Sequence, residues 1–175
     1  SEVPWLDVLA AVKGMLDERQ VQFYMADPAL QGLAESYGWA GALPAVGGDF
    51  VMVVDTNVGY NKVTASVDQG IEYVAEIGPS GEIQSELAIT YRNRSAQAVG
   101  ECDKDKQYLP TYDSLAEGCY WDYVRVYAPQ GARLQGGEGG DEPFQQLDEL
   151  ERTVFATSME LEPGEERVLR LRYVL

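Results

Sequence analysis

From Tyr60 onward the helical period disappears from this chain. It is replaced by short runs rich in β-branched and aromatic residues: Val63–Val67, Ile71–Ile77, Ile83–Asn93, Tyr120–Ala128, Val154–Leu161 and Arg167–Val174. Turn chemistry separates them. Gly78-Pro79-Ser80-Gly81 and Glu162-Pro163-Gly164-Glu165 read as hairpins, and Pro129-Gln130-Gly131 ends a strand. Short strands punctuated in this way predict an antiparallel, immunoglobulin-like β-sandwich. The tract Gly136-Gly137-Glu138-Gly139-Gly140-Asp141-Glu142 offers no apolar anchor and predicts a mobile surface loop.

The front of the chain follows another rule. Trp5, Val8, Leu9, Val12, Met15 and Leu16 fall on one stripe of a helix running from Val3 to about Glu18. Val21, Phe23 and Met25 alternate with polar residues as a short strand would. Asp27-Pro28 then caps a second helix that Gly38 ends. Phe50-Val51-Met52-Val53-Val54 is too short for a helix and too continuous for an exposed edge, so it predicts a buried strand. The expected class is therefore α+β. Residues 1–60 form a helix-strand-helix-strand segment, the tail of a larger truncated domain, and residues 61–175 form the sandwich.

Composition narrows function mainly by exclusion. The formal net charge is −16, from 29 acids against 13 bases, which repels phosphates and argues against a nucleic-acid partner. There is no histidine, which removes histidine-based triads, histidine acid–base catalysis and histidine zinc sites. No stretch reaches the roughly 18 apolar residues of a membrane span, so any export signal or anchor is expected in a missing N-terminal part. No cofactor is expected, and oligomeric state is not legible. Calcium is the one common metal worth testing, because the available ligands are hard oxygens.

Cys102 and Cys119 flank a loop-like stretch containing Pro110. A disulfide is the favoured reading, with two free buried thiols as the alternative, since two cysteines without histidine cannot complete a zinc site. A disulfide implies an oxidising compartment.

Several phrases together resemble one family: Gln22-Phe23-Tyr24 with Gly38-Trp39-Ala40-Gly41, the run from Asp49-Phe50 to Asp55-Thr56-Asn57-Val58-Gly59-Tyr60-Asn61-Lys62, Thr90-Tyr91-Arg92-Asn93, and Cys119 to Tyr127. They resemble the C-terminal portion of the bacterial domain of unknown function 4012 family. The resemblance implies an extracytoplasmic envelope protein held at the cell surface by an N-terminal membrane anchor. It implies no activity and no catalytic residue.

The segment Asp49 to Lys62 concentrates chemistry. Asp49, Asp55, Asn57, Asn61 and Lys62 surround a strand and a glycine turn, where binding groups tend to gather. The same residues also serve as ordinary turn formers. As an EF-hand the segment fails, because its glycine comes one place early and Ser66 stands where the bidentate glutamate belongs. In the strand Tyr120–Tyr127, Tyr120, Asp122, Val124 and Val126 face one side and Trp121, Tyr123, Arg125 and Tyr127 the other, a pattern of packing more than of ligand binding. Carboxylates are too many, and too unpatterned, to single out a glycosidase pair.

The expectation is a non-catalytic extracytoplasmic envelope module that binds a wall polymer or another envelope protein, or spaces other domains. The alternative is an accessory part of a cell-wall polymer transferase or hydrolase, with the active site mainly in the missing N-terminal region.

Overall fold

The computed structural model describes residues 4–43, 47–95, 102 and 111–175. The chain divides into two compact units, residues 1–45 and 46–175.

The first unit carries the two expected helices, α1 (Trp5–Asp17) from its apolar spacing and α2 (Pro28–Ser36) from its cap and glycine stop. Asp27 accepts the backbone N–H groups of Ala29 at 2.9 Å and Leu30 at 3.1 Å, and Pro28 supplies the first turn. Such a cap contributes about 1 kcal/mol. Leu16 and Ala34 are buried, whereas Trp5, Leu9, Leu30 and Leu33 are mostly exposed. The stretch Val21–Met25 is not the expected strand. Its N–H groups go to the carbonyls of Met15 and Trp39 and to the Gln31 side chain, and no strand lies beside it among the described residues.

In the second unit, β1 (Met52–Asn57), β4 (Tyr120–Pro129), β7 (Arg152–Leu161) and β6 (Gln145–Glu149) form one sheet in the order β1-β4-β7-β6. A second sheet joins β2 (Val67–Ile77), β3 (Ile83–Asn93), β8 (Glu166–Val174) and β5 (Arg133–Glu138) in the order β2-β3-β8-β5. All pairings are antiparallel, and the fold is the expected β-sandwich. Alternation builds its core. Leu87, Ile89 and Tyr91 of β3 and Leu169, Leu171 and Tyr173 of β8 meet Tyr120, Val124 and Val126 of β4 and Phe155, Met159 and Leu161 of β7, all buried. Burying side chains of this size stabilises by roughly 1.5–3 kcal/mol each.

The structure corrects the sequence reading in five places. The apolar run at 50–54 belongs to the sandwich, not to a front segment ending at residue 60, because β1 pairs with β4 from Met52 opposite Tyr127 to Asn57 opposite Asp122. It is an edge strand, half-buried where full burial is expected. Val63–Ser66 is a 3-10 turn rather than a strand, closed by the Ala65 N–H on the Lys62 carbonyl, and it drives Val63 into the core. The turn Glu162–Glu165 joins β7 to β8 across the two sheets instead of making a hairpin.

The glycine and acid tract is ordered, and its first part is strand β5. Gly139, at φ +93°, lies against the Val168 carbonyl, an approach that no side chain permits. Asp141 then receives the Glu160 N–H at 2.6 Å and the Arg167 guanidinium at 2.5 Å.

Candidate functional site

β1 lies at the edge of its sheet, and its register decides where each side chain goes. Val53, Asp55 and Asn57 stand opposite Val126, Val124 and Asp122 and so face the layer between the sheets. Asp55 meets the other sheet there. The Tyr91 hydroxyl donates to its Oδ1 at 2.5 Å and Gln69 Nε2 to its Oδ2 at 2.6 Å, while Gln69 Nε2 also reaches the Tyr91 oxygen at 3.2 Å. Burial and then the Asp55 carboxylate push the Tyr91 hydroxyl well above the ordinary phenol range.

Asp49, just before β1, makes a second link of the same kind. The Tyr73 hydroxyl donates to its Oδ2 at 2.5 Å and lies 3.0 Å from both the Ser85 and the Tyr173 hydroxyls. Asp49 Oδ1 accepts the Phe50 N–H at 2.9 Å. One acid on the edge strand and one just before it are thus tied to tyrosines of the other sheet.

Asp122 completes the cluster around Asp55. Its side chain is fully buried, and its Oδ1 accepts the Thr56 N–H at 2.8 Å. Among the described residues no hydrogen-bond donor lies in bonding geometry to Oδ2. Burial, and then the charge of Asp55, push the Asp122 carboxyl up to about 7, with the Thr56 N–H and the Tyr120 hydroxyl acting the other way. Tyr120 beside it is raised by burial and by the charges of Asp122 and Asp55.

Asn57, Asn61 and Lys62 build the turn that follows β1. Asn57 Oδ1 accepts the Gly59 N–H at 2.9 Å, and Asn57 Nδ2 donates to Asn61 Oδ1 at 2.8 Å and Thr64 Oγ1 at 3.1 Å. Asn61 Nδ2 donates to the Cys119 carbonyl at 2.9 Å. The Lys62 N–H bonds the carbonyl of Leu115, in the short helix α3 (Tyr112–Leu115), at 2.7 Å. The Lys62 side chain is exposed and makes no ion pair with Asp55. At the tip Tyr60 holds a positive φ of +57° and is 90% exposed, with Val58 exposed beside it.

The cysteines are joined. Cys102 and Cys119 form a disulfide with Cα atoms 5.7 Å apart, and Cys119 leads directly into β4. The Asn61 bond to the Cys119 carbonyl therefore connects the turn to the disulfide-bonded segment.

The five residues singled out in the sequence thus occupy two clusters and an anchor. Asn57 and Asn61 bond each other with Lys62 exposed in the same turn, Asp55 joins Asp122, and Asp49 has its own tyrosine. Sequence reasoning missed Asp122, Tyr91, Gln69 and Tyr73. A signal for Asp122 existed: it is the one acid on the inward face Tyr120-Asp122-Val124-Val126. In the same strand Trp121 and Tyr127 are buried on the opposite face, their polar atoms bonded to Glu160 and Glu149 at 2.9 Å. On the outer face of the second sheet Glu72, Glu86, Glu138, Arg170 and Arg172 line an open groove of about 530 Å3.

No protein-family model, curated protein or solved structure matches this chain. Among the described residues no helix is long and apolar enough to cross a membrane.

Proposed function

We propose that this chain is a non-catalytic, extracytoplasmic module of a bacterial cell envelope. It binds a wall polymer or another envelope protein, or spaces neighbouring domains, in a longer protein anchored in the membrane. The observation that carries the location is the Cys102–Cys119 disulfide, a bond that persists in oxidising compartments. The family resemblance of Val53 to Lys62 and Cys119 to Tyr127 points the same way.

The non-catalytic part rests on how the polar groups are used. The side chains of Asn57 and Asn61 are taken up in shaping the turn, and those of Asp49 and Asp55 in joining the sheets. What the turn presents outward is Val58, Tyr60 and Lys62 on a braced backbone, an arrangement suited to contact with a partner rather than to chemistry.

Co-sedimentation with isolated cell-wall polymer, paired with cross-linking in intact cells, tests the reading. Tyr60→Ala and Lys62→Ala should weaken capture at least tenfold with little change in melting temperature. Capture unchanged in both variants would remove this turn as the binding surface. The enzymatic alternative predicts instead that Asp55→Asn abolishes wall-polymer turnover by the full-length protein.

A further inference from the structure

Among the described residues, Asp55 and Asp122 form an acid pair with no basic partner inside the sandwich. Asp55 stands opposite Val124 and Asp122 opposite Asn57, so the two acids are diagonal neighbours on the inward face of adjacent strands. Asp122 is fully buried, and among the described residues its Oδ2 receives no donor in bonding geometry. The side chains it meets are the Tyr120 hydroxyl, whose effect burial outweighs, and another acceptor, the carboxyl of Asp55. Both Asp55 oxygens already accept bonds from Tyr91 and Gln69.

The described residues around them supply no positive charge. Gln69 from β2, Tyr91 from β3, Tyr120 on β4 and Thr64 from the 3-10 turn are neutral, as is Met159 of β7, opposite Asp122. Arg167 of β8 is in register with Tyr91, but its guanidinium is held by Glu165 and Asp141. Among the described residues no ion pair reaches either acid. A buried carboxylate facing another acceptor is costly even where that second acceptor, Asp55, is partly open to water, and one proton converts one of the two into a donor.

We propose that buried Asp122 keeps a proton that it shares as a hydrogen bond with the Asp55 carboxylate, and that this proton latches edge strand β1 to the sandwich. Its loss leaves two like charges in one layer. The weaker attachment is β1, which pairs on one side only and leads into the Asn57–Lys62 turn. The turn is therefore set most firmly while the pair is protonated.

The sign follows from linkage. A carboxyl that keeps its proton to higher pH in the folded chain than in the unfolded one binds more protons when folded, so stability falls as pH rises between the two titrations. Asp122→Asn supplies a permanent amide donor where the proton lay.

Urea unfolding and amide hydrogen exchange test the latch. Between about pH 5 and about pH 8 the wild-type unfolding constant should rise on the order of 10- to 100-fold more than that of Asp122→Asn. Exchange of the β1 amides, corrected for intrinsic rate, should accelerate over the same range in the wild type only. Equal pH dependence in the two proteins overturns the proposal. So does a melting temperature that millimolar calcium raises in the wild type but not in Asp122→Asn, which assigns the pair to a cation. Should Asp122→Asn fail to fold, infrared spectroscopy of the wild type decides. A carboxylic-acid C=O band titrating near neutral pH supports the shared proton, and its absence below neutral pH rejects it.

Discussion

Tyr91, buried on β3 of one sheet, donates its hydroxyl to Asp55 on the edge strand of the other, with 2.5 Å between the oxygens. The bond ties the core to the edge. Tyr91→Phe keeps the ring, so packing survives and only the donor is lost. Hydrogen bonds to charged groups contribute about 1.5–3 kcal/mol. Urea unfolding should show a loss in the lower half of that range, because Asp55 is partly open to water, with an unchanged m value. Combining it with Asp55→Asn should cost less than the sum of the single changes, whereas strict additivity would mean that the two residues are not coupled.

Reduction of Cys102–Cys119 should destabilise the chain by roughly 3 kcal/mol, the chain-entropy value for a loop of this size. The effect should be uneven. Because the Cys119 carbonyl accepts from Asn61, exchange protection in the Asn57–Lys62 turn should fall before protection in β3 and β8. Unfolding with and without reductant, alongside the Cys102→Ser/Cys119→Ser variant, measures both. A difference below about 1 kcal/mol would contradict the entropic account of the bond.

The sandwich was legible because most of its strands announce themselves. β3 runs over Ile83–Asn93 as the alternating β-branched and aromatic pattern says, and β4, β7 and β8 differ from expectation only at their ends. What the sequence hid was whatever lacks side-chain contrast. β5 contains Gly136 and Gly137, and β6 is Gln145-Gln146-Leu147-Asp148-Glu149, almost without apolar residues. Their pairing comes from neighbours already in place, and backbone bonds leave no mark on composition. The β6–β7 turn was equally silent, since it uses Leu150 and Glu151 at positive φ where Asn-Gly would be the recognisable signal. For the site, polar residues crowding one strand end were visible. Their division between turn and sheet junction was not, because it depends on the register of β1 against β4 and on the approach of Tyr91 from 36 residues away.

Gly139→Ala and Gly81→Ala should separate close approach from backbone conformation. Both glycines have positive φ, +93° and +87°, but a side chain at Gly139 would strike the Val168 carbonyl while Gly81 opens onto free space. Conformation alone costs about 1 kcal/mol at Gly81. Conformation plus a backbone clash should cost roughly 2–3 kcal/mol or more at Gly139. Equal melting temperatures for the two variants would show that the crossover from β5 to β6 moves aside without penalty.

Asn93 should prove the most sensitive polar position in the sandwich. Its side chain is fully buried at the end of β3, and its Nδ2 donates to the Gly118 carbonyl at 2.8 Å and the Leu161 carbonyl at 3.2 Å. Its Oδ1 accepts from the Ser95 N–H at 3.0 Å and the Ser95 hydroxyl at 2.7 Å. One amide thus joins the lead into β4, the end of β7 and the exit from β3. Asn93→Ala leaves those partners unpaired and should lower stability by about 3 kcal/mol. Asn93→Asp keeps the acceptor but turns an oxygen toward two carbonyls, so the folded chain favours its protonated form. Its stability deficit should therefore widen as pH rises from about 4 to neutral. Urea unfolding of both variants across that range checks the sign. A deficit for Asn93→Asp that narrows toward neutral pH would mean that the carboxylate finds a donor which the native amide does not use.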